Sequence, residues 1–211
     1  MSKITTLRMG RGRQKKVQIF LDGRRALNLE AETALKAGLE VGQELSASQI
    51  EALTSSDHLQ RCLDAATRYL SYRPRSEQEL RERLGQRGFD RDSVAAVLDR
   101  MKERGLVDDR AFAQFWKDNR EAFSPRSQGM TRLELRRKGV AGNIIDEIVG
   151  TIDDEESAYR AALGKARRLP LDDYPRFRRR LGDYLKRRGF GYGVITRTIA
   201  RLWPELSTQN Q

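Results

Sequence analysis

The sequence predicts a mainly α-helical fold, a tandem array of three three-helix repeats that follows a small β-rich N-terminal extension. A phrase of leucine, basic residues, glycine and a large apolar residue occurs three times, ending at Gly88-Phe89, Gly139-Val140 and Gly189-Phe190. The copies lie 51 and 50 residues apart, and a period of this length is typical of tandem structural units. Apolar residues at helical spacing surround each copy, whereas strand-type alternation occurs only near the N-terminus.

Residues 1–56 are predicted to form the extension. Val17, Ile19 and Leu21 occupy alternate positions before Asp22-Gly23, a strong hairpin turn signal. Residues 26–29 would form the return strand, and residues 4–7 a third strand. A capping box at residues 46–49 predicts a short helix that ends near Leu53.

The first repeat is predicted over residues 57–108, with a capping box that begins at Ser76 and a helix stop at Gly88. The second covers residues 109–152, with Asp109 as its first N-cap and a middle helix from Ser127 to Lys138. Thr131 takes the place that Leu80 has in the first repeat, and Met130 and Leu133 are expected to supply the missing apolar contact.

The third repeat is predicted over residues 153–206, and residues 207–211 form a tail. Its first helix starts in an acidic run at residues 153–156, which suits the positive end of the helix dipole. Trp203-Pro204 is expected to close the array. Phe89, Val140 and Phe190 are interpreted as core residues of the three repeats.

The chain is strongly basic, with 41 Lys and Arg against 30 Asp and Glu, a net charge of +11 and a pI near 10.1. Such a balance favours a polyanion or an acidic protein surface as partner. The single cysteine, Cys62, fits a reducing compartment. No apolar run has the length of a membrane span, and the basic N-terminus is unlike a signal peptide. These features predict a cytoplasmic protein without a membrane partner.

The positive charge is concentrated in the middle helices and in residues 1–25. Basic residues exceed acidic ones by two in residues 72–88, by four in residues 125–139 and by six in residues 176–189. If the repeats stack regularly, equivalent positions form a basic stripe. The alternative is a set of solvated helix ends, where basic side chains favour the last carbonyls. That alternative accounts for one or two residues per helix, which is fewer than the third copy has.

No catalytic constellation is evident in the sequence. His58 and Cys62 lie one helical turn apart, but two ligands do not make a metal site. Acidic pairs at residues 108–109, 153–154 and 172–173 stand near predicted helix starts, where capping is the simpler role. Residues 10–13 lack the features of a phosphate-binding loop. We therefore expect a protein that is not an enzyme and that uses no metal or cofactor.

Several motifs, in the order in which they occur along the chain, resemble those of the RecX regulatory proteins of bacteria. They are residues 69–76, Glu79-Leu80, Gly88-Phe89, residues 105–109, Phe112-Ala113, residues 134–140 and residues 185–190. The resemblance covers about residues 57–204. It implies a curved slab of three-helix repeats that lodges in the groove of the RecA–DNA filament. It further implies a monomer that inhibits strand exchange and ATP hydrolysis by RecA, with a role in DNA repair, homologous recombination and the SOS response.

On this interpretation basic side chains dock onto RecA, onto single- or double-stranded DNA, or onto both. The candidate docking residues are Arg87, Arg132, Arg136, Arg137, Lys138, Arg179, Arg180, Lys186, Arg187 and Arg188. Arg11, Arg13, Lys15 and Lys16 of the hairpin form either a second contact or a solvated loop. The alternative function is a stand-alone basic helical DNA-binding protein. A nuclease that uses Asp108 and Asp109 is a third hypothesis.

Overall fold

The computed structural model describes residues 1–10 and 16–208, and it confirms the predicted fold class. The strands are β1 (Ser2–Met9), β2 (Lys16–Leu21), β3 (Arg24–Glu30) and β4 (Glu44–Leu45). The helices are α1 (Ala31–Lys36), α2 (Ala47–Tyr72), α3 (Glu77–Gln86), α4 (Arg91–Glu103), α5 (Asp109–Phe123), α6 (Gln128–Arg137), α7 (Gly142–Val149), α8 (Asp154–Ala166), α9 (Tyr174–Lys186) and α10 (Tyr192–Thr208). One compact unit comprises Met1–Arg73 and Leu80–Leu106, and a second comprises Pro74–Glu79 and the chain from Val107 onward.

The N-terminal extension is an antiparallel sheet with strand order β3-β2-β1-β4. Asp22 and Gly23 both have positive φ, 50° and 78°. A tight two-residue hairpin turn requires this conformation. The alternating side chains of β2 face a core with Ile4 and Leu45, which confirms the predicted hairpin and third strand.

The helix predicted to end near Leu53 is longer, since α2 runs without a break for 26 residues to Tyr72. The Ser46 capping box starts it as predicted. No glycine or proline occurs between Ala47 and Tyr72, so nothing in the local sequence stops the helix. The boundary predicted after residue 56 therefore lies inside a helix.

Glycine ends the middle helix of each repeat, as predicted. Gly88, Gly139 and Gly189 have φ of 89°, 77° and 89°. This is the left-handed conformation that other residues rarely adopt. In each case the next amide N–H donates back into the helix, for example from Val140 to the Leu135 carbonyl at 3.2 Å. Val140 is buried in the core of the second repeat, as is Phe190 in that of the third.

The start of a middle helix is joined to the end of the next middle helix by hydrogen bonds at a serine. The Ser76 hydroxyl accepts the N–H of Glu79 at 3.1 Å and donates to the Lys138 carbonyl at 2.6 Å. Equivalently, the Ser127 hydroxyl accepts the N–H of Met130, and the Ser127 N–H donates to the Arg188 carbonyl at 3.2 Å. We call each of these places a repeat junction.

Acidic pairs complete the same junctions. Asp108 is the N-cap of its own helix, α5, whereas the carboxylate of Asp109 accepts the N–H of Glu77 at the start of α3, at 2.8 Å. Asp153 likewise caps α8, and Asp154 accepts the N–H of Gln128 at the start of α6, at 2.7 Å. The predicted N-cap Asp109 is therefore wrong by one residue, because Asp109 satisfies a donor of a different helix.

Two further details of the repeats differ from expectation. Met130 is half-buried beside Gly189, but Leu133 is exposed and does not fill the space beside Thr131. Pro204 does not end α10, which continues to Thr208. The helix continues because Leu206 extends the apolar stripe of Leu202 and is buried with it.

Candidate basic interface

The ten candidate docking residues divide into two groups by what their side chains contact. Seven are exposed, and their side chains make no ion pair or hydrogen bond with another described residue: Arg87, Arg136, Arg137, Arg179, Arg180, Lys186 and Arg187. The other three, Arg132, Lys138 and Arg188, are half-buried and have partners. A charge without a protein partner is free to meet an external one, so the first group is the stronger candidate for docking.

Lys138 forms part of a repeat junction. Its ammonium lies 3.5 Å from Glu79 Oε2 and 5.4 Å from the centre of the Trp116 ring. Glu79 is buried and also binds Arg75 at 2.5 Å. The lysine therefore helps to neutralise a buried carboxylate, which would be costly to leave unpaired.

Arg188 has the equivalent position in the third repeat, where its contacts are with a ring and a hydroxyl. Its guanidinium stacks over the Tyr184 ring at 4.5 Å and donates to the Ser124 hydroxyl at 3.1 Å. Since Ser124 belongs to the second repeat, Arg188 links the two repeats by its side chain as well as by its carbonyl. Arg132 instead connects two helices of the same repeat, since its Nε on α6 lies 3.1 Å from Asp146 Oδ1 on α7.

Four unpaired side chains lie at two equivalent helix ends. Arg136 and Arg137 end α6, and Lys186 and Arg187 end α9 and its cap. The helix dipole makes both ends favourable places for positive charge. The end of α9 contacts the start of α6. The two pairs are therefore separated by about the length of α6, roughly 15 Å at the usual rise per residue.

Arg179 and Arg180 add charge on α9, which also carries Arg176 and Arg178. Asp183 is the acidic side chain of that helix. The third repeat therefore has the densest basic surface of its unit, in agreement with the rise of charge along the sequence.

Arg87 belongs to a different basic cluster. It lines a cleft of about 150 Å³ with Lys16 of β2 and with Arg61 and Arg68 of α2. Lys16 pairs with Glu30 at 3.6 Å, whereas the three arginines have no ion pair among the described residues. Sequence reasoning missed Arg61 and Arg68, although their seven-residue spacing on one helix places them on the same face. Arg11, Arg13 and Lys15 lie outside the described residues.

His58 and Cys62, the side chains considered for catalysis, have structural surroundings. The His58 imidazole lies 2.8 Å from Asp90, and backbone N–H donation from Ser93 lowers the pKa of Asp90 to about 2. Burial, with a smaller contribution from Asp90, raises the pKa of the Cys62 thiol to about 11. This thiol therefore stays protonated and a poor nucleophile at neutral pH. Within residues 1–10 and 16–208, no three His, Cys, Asp or Glu side chains are grouped so that they could hold a metal ion.

Five of the six carboxylates in the acidic pairs have structural partners among the described residues. Asp108, Asp153 and Asp173 cap α5, α8 and α9, and Asp109 and Asp154 bind the neighbouring middle helices. Each carboxylate named for a nuclease thus receives backbone N–H groups. In the described part of the chain, no helix combines the length and apolarity needed to cross a membrane.

Comparisons with known proteins agree on one family. Models described as the first and third three-helix domains of RecX match residues 62–101 and 153–199. A regulatory protein RecX of Clostridium botulinum is 30% identical over 201 residues, which cover 92% of this chain and 93% of that protein. A regulatory protein RecX of Chlorobaculum tepidum is 36% identical over 148 residues, covering 70% of this chain and 92% of that protein.

Two solved structures share the fold. A crystal structure of regulatory protein RecX superposes with a TM-score of 0.66 at 24% identity and covers 92% of this chain and 97% of the other. RecX from Lactobacillus salivarius gives a TM-score of 0.58 at 23% identity, covering 72% and 99%.

The tandem three-helix units place the chain in the class of helical-repeat proteins. The relatives carry the name of a regulator, not of an enzyme. Within that class, the chain belongs to the RecX family of regulatory proteins, as the resemblance in its sequence predicted.

Proposed function

We propose that this protein binds the RecA–DNA filament and inhibits strand exchange and ATP hydrolysis by RecA. Family membership supports RecA as the partner. The observation that carries the docking surface is the pair of equivalent helix ends, Arg136-Arg137 and Lys186-Arg187, whose side chains are exposed and have no partner among the described residues. Arg87, Arg179 and Arg180 are proposed as additional docking residues.

The proposed mechanism is multivalent electrostatic docking. Each exposed arginine or lysine gains little alone, because water and salt screen it. Repeats that present such groups at regular intervals engage several sites of a filament at once, and each contact raises the effective concentration for the next. A filament bridged in this way is hindered in adding protomers and in changing conformation during ATP hydrolysis.

Arg132, Lys138 and Arg188 have a different place in this proposal. The contacts of Lys138 and Arg188 at the repeat junctions hold the docking surface in register, so these two act as positioning residues, whereas Arg132 pairs with Asp146 within one repeat. The docking role predicted for them from sequence stays a prediction. The expected monomer is likewise unchanged by the proposal, since a single chain already presents several basic groups.

The deciding experiment measures ATP hydrolysis by RecA on single-stranded DNA at physiological salt, with increasing amounts of this protein. We expect K186E/R187E to raise the concentration for half-inhibition about tenfold or more, because attraction at two docking positions becomes repulsion. R136E/R137E tests the second repeat in the same way.

The matched control is R167E/R168E at the exposed C-terminal end of α8 in the same repeat. It has the same change of charge at the same kind of helix end. We expect its concentration for half-inhibition to stay within about twofold of the wild-type value. Equal loss in both variants would reduce the effect to net charge and contradict the surface assignment. Absence of inhibition by the wild-type protein would contradict the function itself.

A stand-alone DNA-binding protein is the second candidate. It is favoured by Arg176, Arg179 and Arg180 on α9, whose side chains have no ion pair or hydrogen bond among the described residues, since arginine suits phosphate contacts. Binding to a labelled duplex and to a single strand, without RecA, separates the two functions. Tight and sequence-selective binding that survives salt would favour this candidate. Weak binding that falls steeply with salt is the background expected of any basic protein.

A further inference from the structure

An open groove lies between α9 and α10 of the third repeat. Its volume is about 370 Å³, and it is lined by apolar atoms of Pro175, Ile195 and Ile199. Ile199 is buried, while Ile195 is only half-buried and faces the groove. A groove of this size accepts one large apolar side chain with the backbone on either side of it.

The second repeat has the same helices but closes the equivalent place. With Gly189 aligned to Gly139, Gly182 corresponds to Arg132 and Thr196 to Asp146. In the second repeat those two side chains form an ion pair, 3.1 Å from Arg132 Nε to Asp146 Oδ1, that bridges α6 and α7. Ile145 below them is buried.

Two small substitutions therefore open the groove in the third repeat. Gly182 has no side chain, and Thr196 is too short to bridge the helices. A Cβ at position 182 would lie 3.7 Å from Ile195 Cγ2 and 3.9 Å from Ile199 Cδ1, in ordinary contact. The space is thus available to a side chain, and in this repeat the protein does not supply one.

The rim of the groove is basic and aromatic. Arg178, Arg179 and Lys186 line it, against one acidic residue, Asp183. Tyr192 stands at one end with 75% of its surface exposed, and its hydroxyl lies 3.4 Å from Arg178 Nη2. Guanidinium groups pair bidentately with carboxylates, so this rim favours an acidic ligand.

The apolar floor distinguishes a peptide from a nucleic acid. Isoleucine side chains offer no hydrogen bonds to the polar edges of a base, which would lose hydration there without compensation. A leucine or phenylalanine side chain has no such cost and gains from burial. Carboxylates on either side of it would then meet the basic rim.

We propose that this groove is a binding site for an acidic peptide segment with one large apolar residue flanked by carboxylates. The apolar residue enters between α9 and α10 above Ile195, and the carboxylates pair with Arg178, Arg179 and Lys186. The site goes beyond the proposed action on RecA and does not rest on it, because the binding test contains no RecA.

The test uses a fluorescent peptide that has acidic residues on both sides of one phenylalanine, and measures its binding to the full chain by anisotropy. A second peptide has serine in place of the phenylalanine. The wild-type protein is expected to bind the phenylalanine peptide about tenfold or more tightly than the serine peptide, in line with burial of one aromatic side chain.

The decisive variant is G182R/T196D, which installs the ion pair of the second repeat in the third and leaves the net charge unchanged. It is expected to abolish the preference for phenylalanine, while its circular dichroism and melting temperature stay near wild type. Y192A changes a highly exposed side chain, so it is not expected to disturb the fold. Its affinity for the phenylalanine peptide is expected to fall several-fold.

Three outcomes would overturn the proposal. One is equal binding of the two peptides to wild type, which would indicate charge attraction alone. Another is a folded G182R/T196D variant that keeps the preference. The third is a loss of single-stranded oligothymidine binding in this variant, which would assign the groove to nucleic acid.

Discussion

The second and third repeats share a register but use it differently. Both end the middle helix with a basic run and a left-handed glycine, and both join the preceding middle helix through a serine and an aspartate. The second repeat closes its outer groove with the Arg132–Asp146 ion pair, whereas the third leaves it open at Gly182. The comparison shows that junction positions are constrained by backbone contacts, while the outer faces are free to specialise.

The largest effect is expected from the junction glycines. An alanine Cβ at Gly139 would overlap the Gln78 side chain, with Cγ at 2.8 Å, and one at Gly189 would lie 2.6 Å from Ser127 Oγ. Strain at positive φ and steric overlap together should lower the free energy of unfolding by about 2–4 kcal/mol in Gly139→Ala and Gly189→Ala. Urea unfolding followed by circular dichroism measures this loss.

Gly88→Ala is the matched control, since its φ is 89° but no atom lies within 4 Å of the added Cβ. Only the strain of about 1 kcal/mol should appear there. A loss in Gly88→Ala as large as in the other two would contradict a role for close packing at the junctions.

The next effect separates adjacent basic residues. Lys138→Met and Arg188→Met should each destabilise the fold by about 1 kcal/mol, because they remove charged contacts at the junctions. Arg137→Met and Arg187→Met should stay within about 0.5 kcal/mol of wild type, as exposed positions usually do. Thermal unfolding of the four variants is the measurement, and a reversed order would break the division into positioning and docking residues.

Each of the two repeats has a buried threonine where the other repeat has an aliphatic residue. Replacing either threonine by valine is expected to raise the free energy of unfolding. Thr131 corresponds to Leu181, and Thr198 corresponds to Ile148. Both threonines are buried, and their hydroxyls have no hydrogen-bond partner among the described residues. Thr131→Val and Thr198→Val should each stabilise by about 0.5–1.5 kcal/mol, since each removes an unsatisfied polar group. Destabilisation in urea unfolding would imply that the hydroxyls are satisfied in solution.

The smallest effect is expected at the ion pair that closes the second repeat. The Asp146 side chain is 66% exposed. Asp146→Thr should therefore cost only about 0.5 kcal/mol, because solvent screens an exposed ion pair. Salt should abolish the difference between the variant and wild type in thermal unfolding. A larger cost that persists in high salt would show that the pair holds the repeat together, and would weaken the contrast with the open third repeat.

Much of this architecture could be predicted from the sequence, because its signals are local. The glycine stops at residues 88, 139 and 189, the Ser46 and Ser76 caps and the Asp22-Gly23 turn each depend on neighbouring residues only. The continuous α2 was open to the same local reasoning, since no glycine or proline occurs between Ala47 and Tyr72, and the helix end predicted near Leu53 overlooked this.

Which of the candidate basic residues are exposed could not be predicted residue by residue. Arg187 and Arg188 are neighbours in the sequence, yet one is exposed and the other lies over Tyr184. They differ because successive residues of a helix end point in different directions. The role of Asp109 and Asp154 was hidden for a related reason. Their partners, the N–H groups of Glu77 and Gln128, come from helices that lie 32 and 26 residues earlier in the chain.

Asp109 and Asp154 each cap a helix of the preceding repeat, so the array is directional. The first turns of α3 and α6 are capped by Ser76 and Ser127 and are completed by carboxylates that follow them in the chain, whereas α9 has Asp173 as its N-cap. During synthesis on the ribosome, the N–H groups of Glu77 and Gln128 can therefore find these carboxylates only after the start of the next repeat has emerged. Removal of the last repeat leaves its predecessor incomplete, whereas the last repeat starts its middle helix unaided.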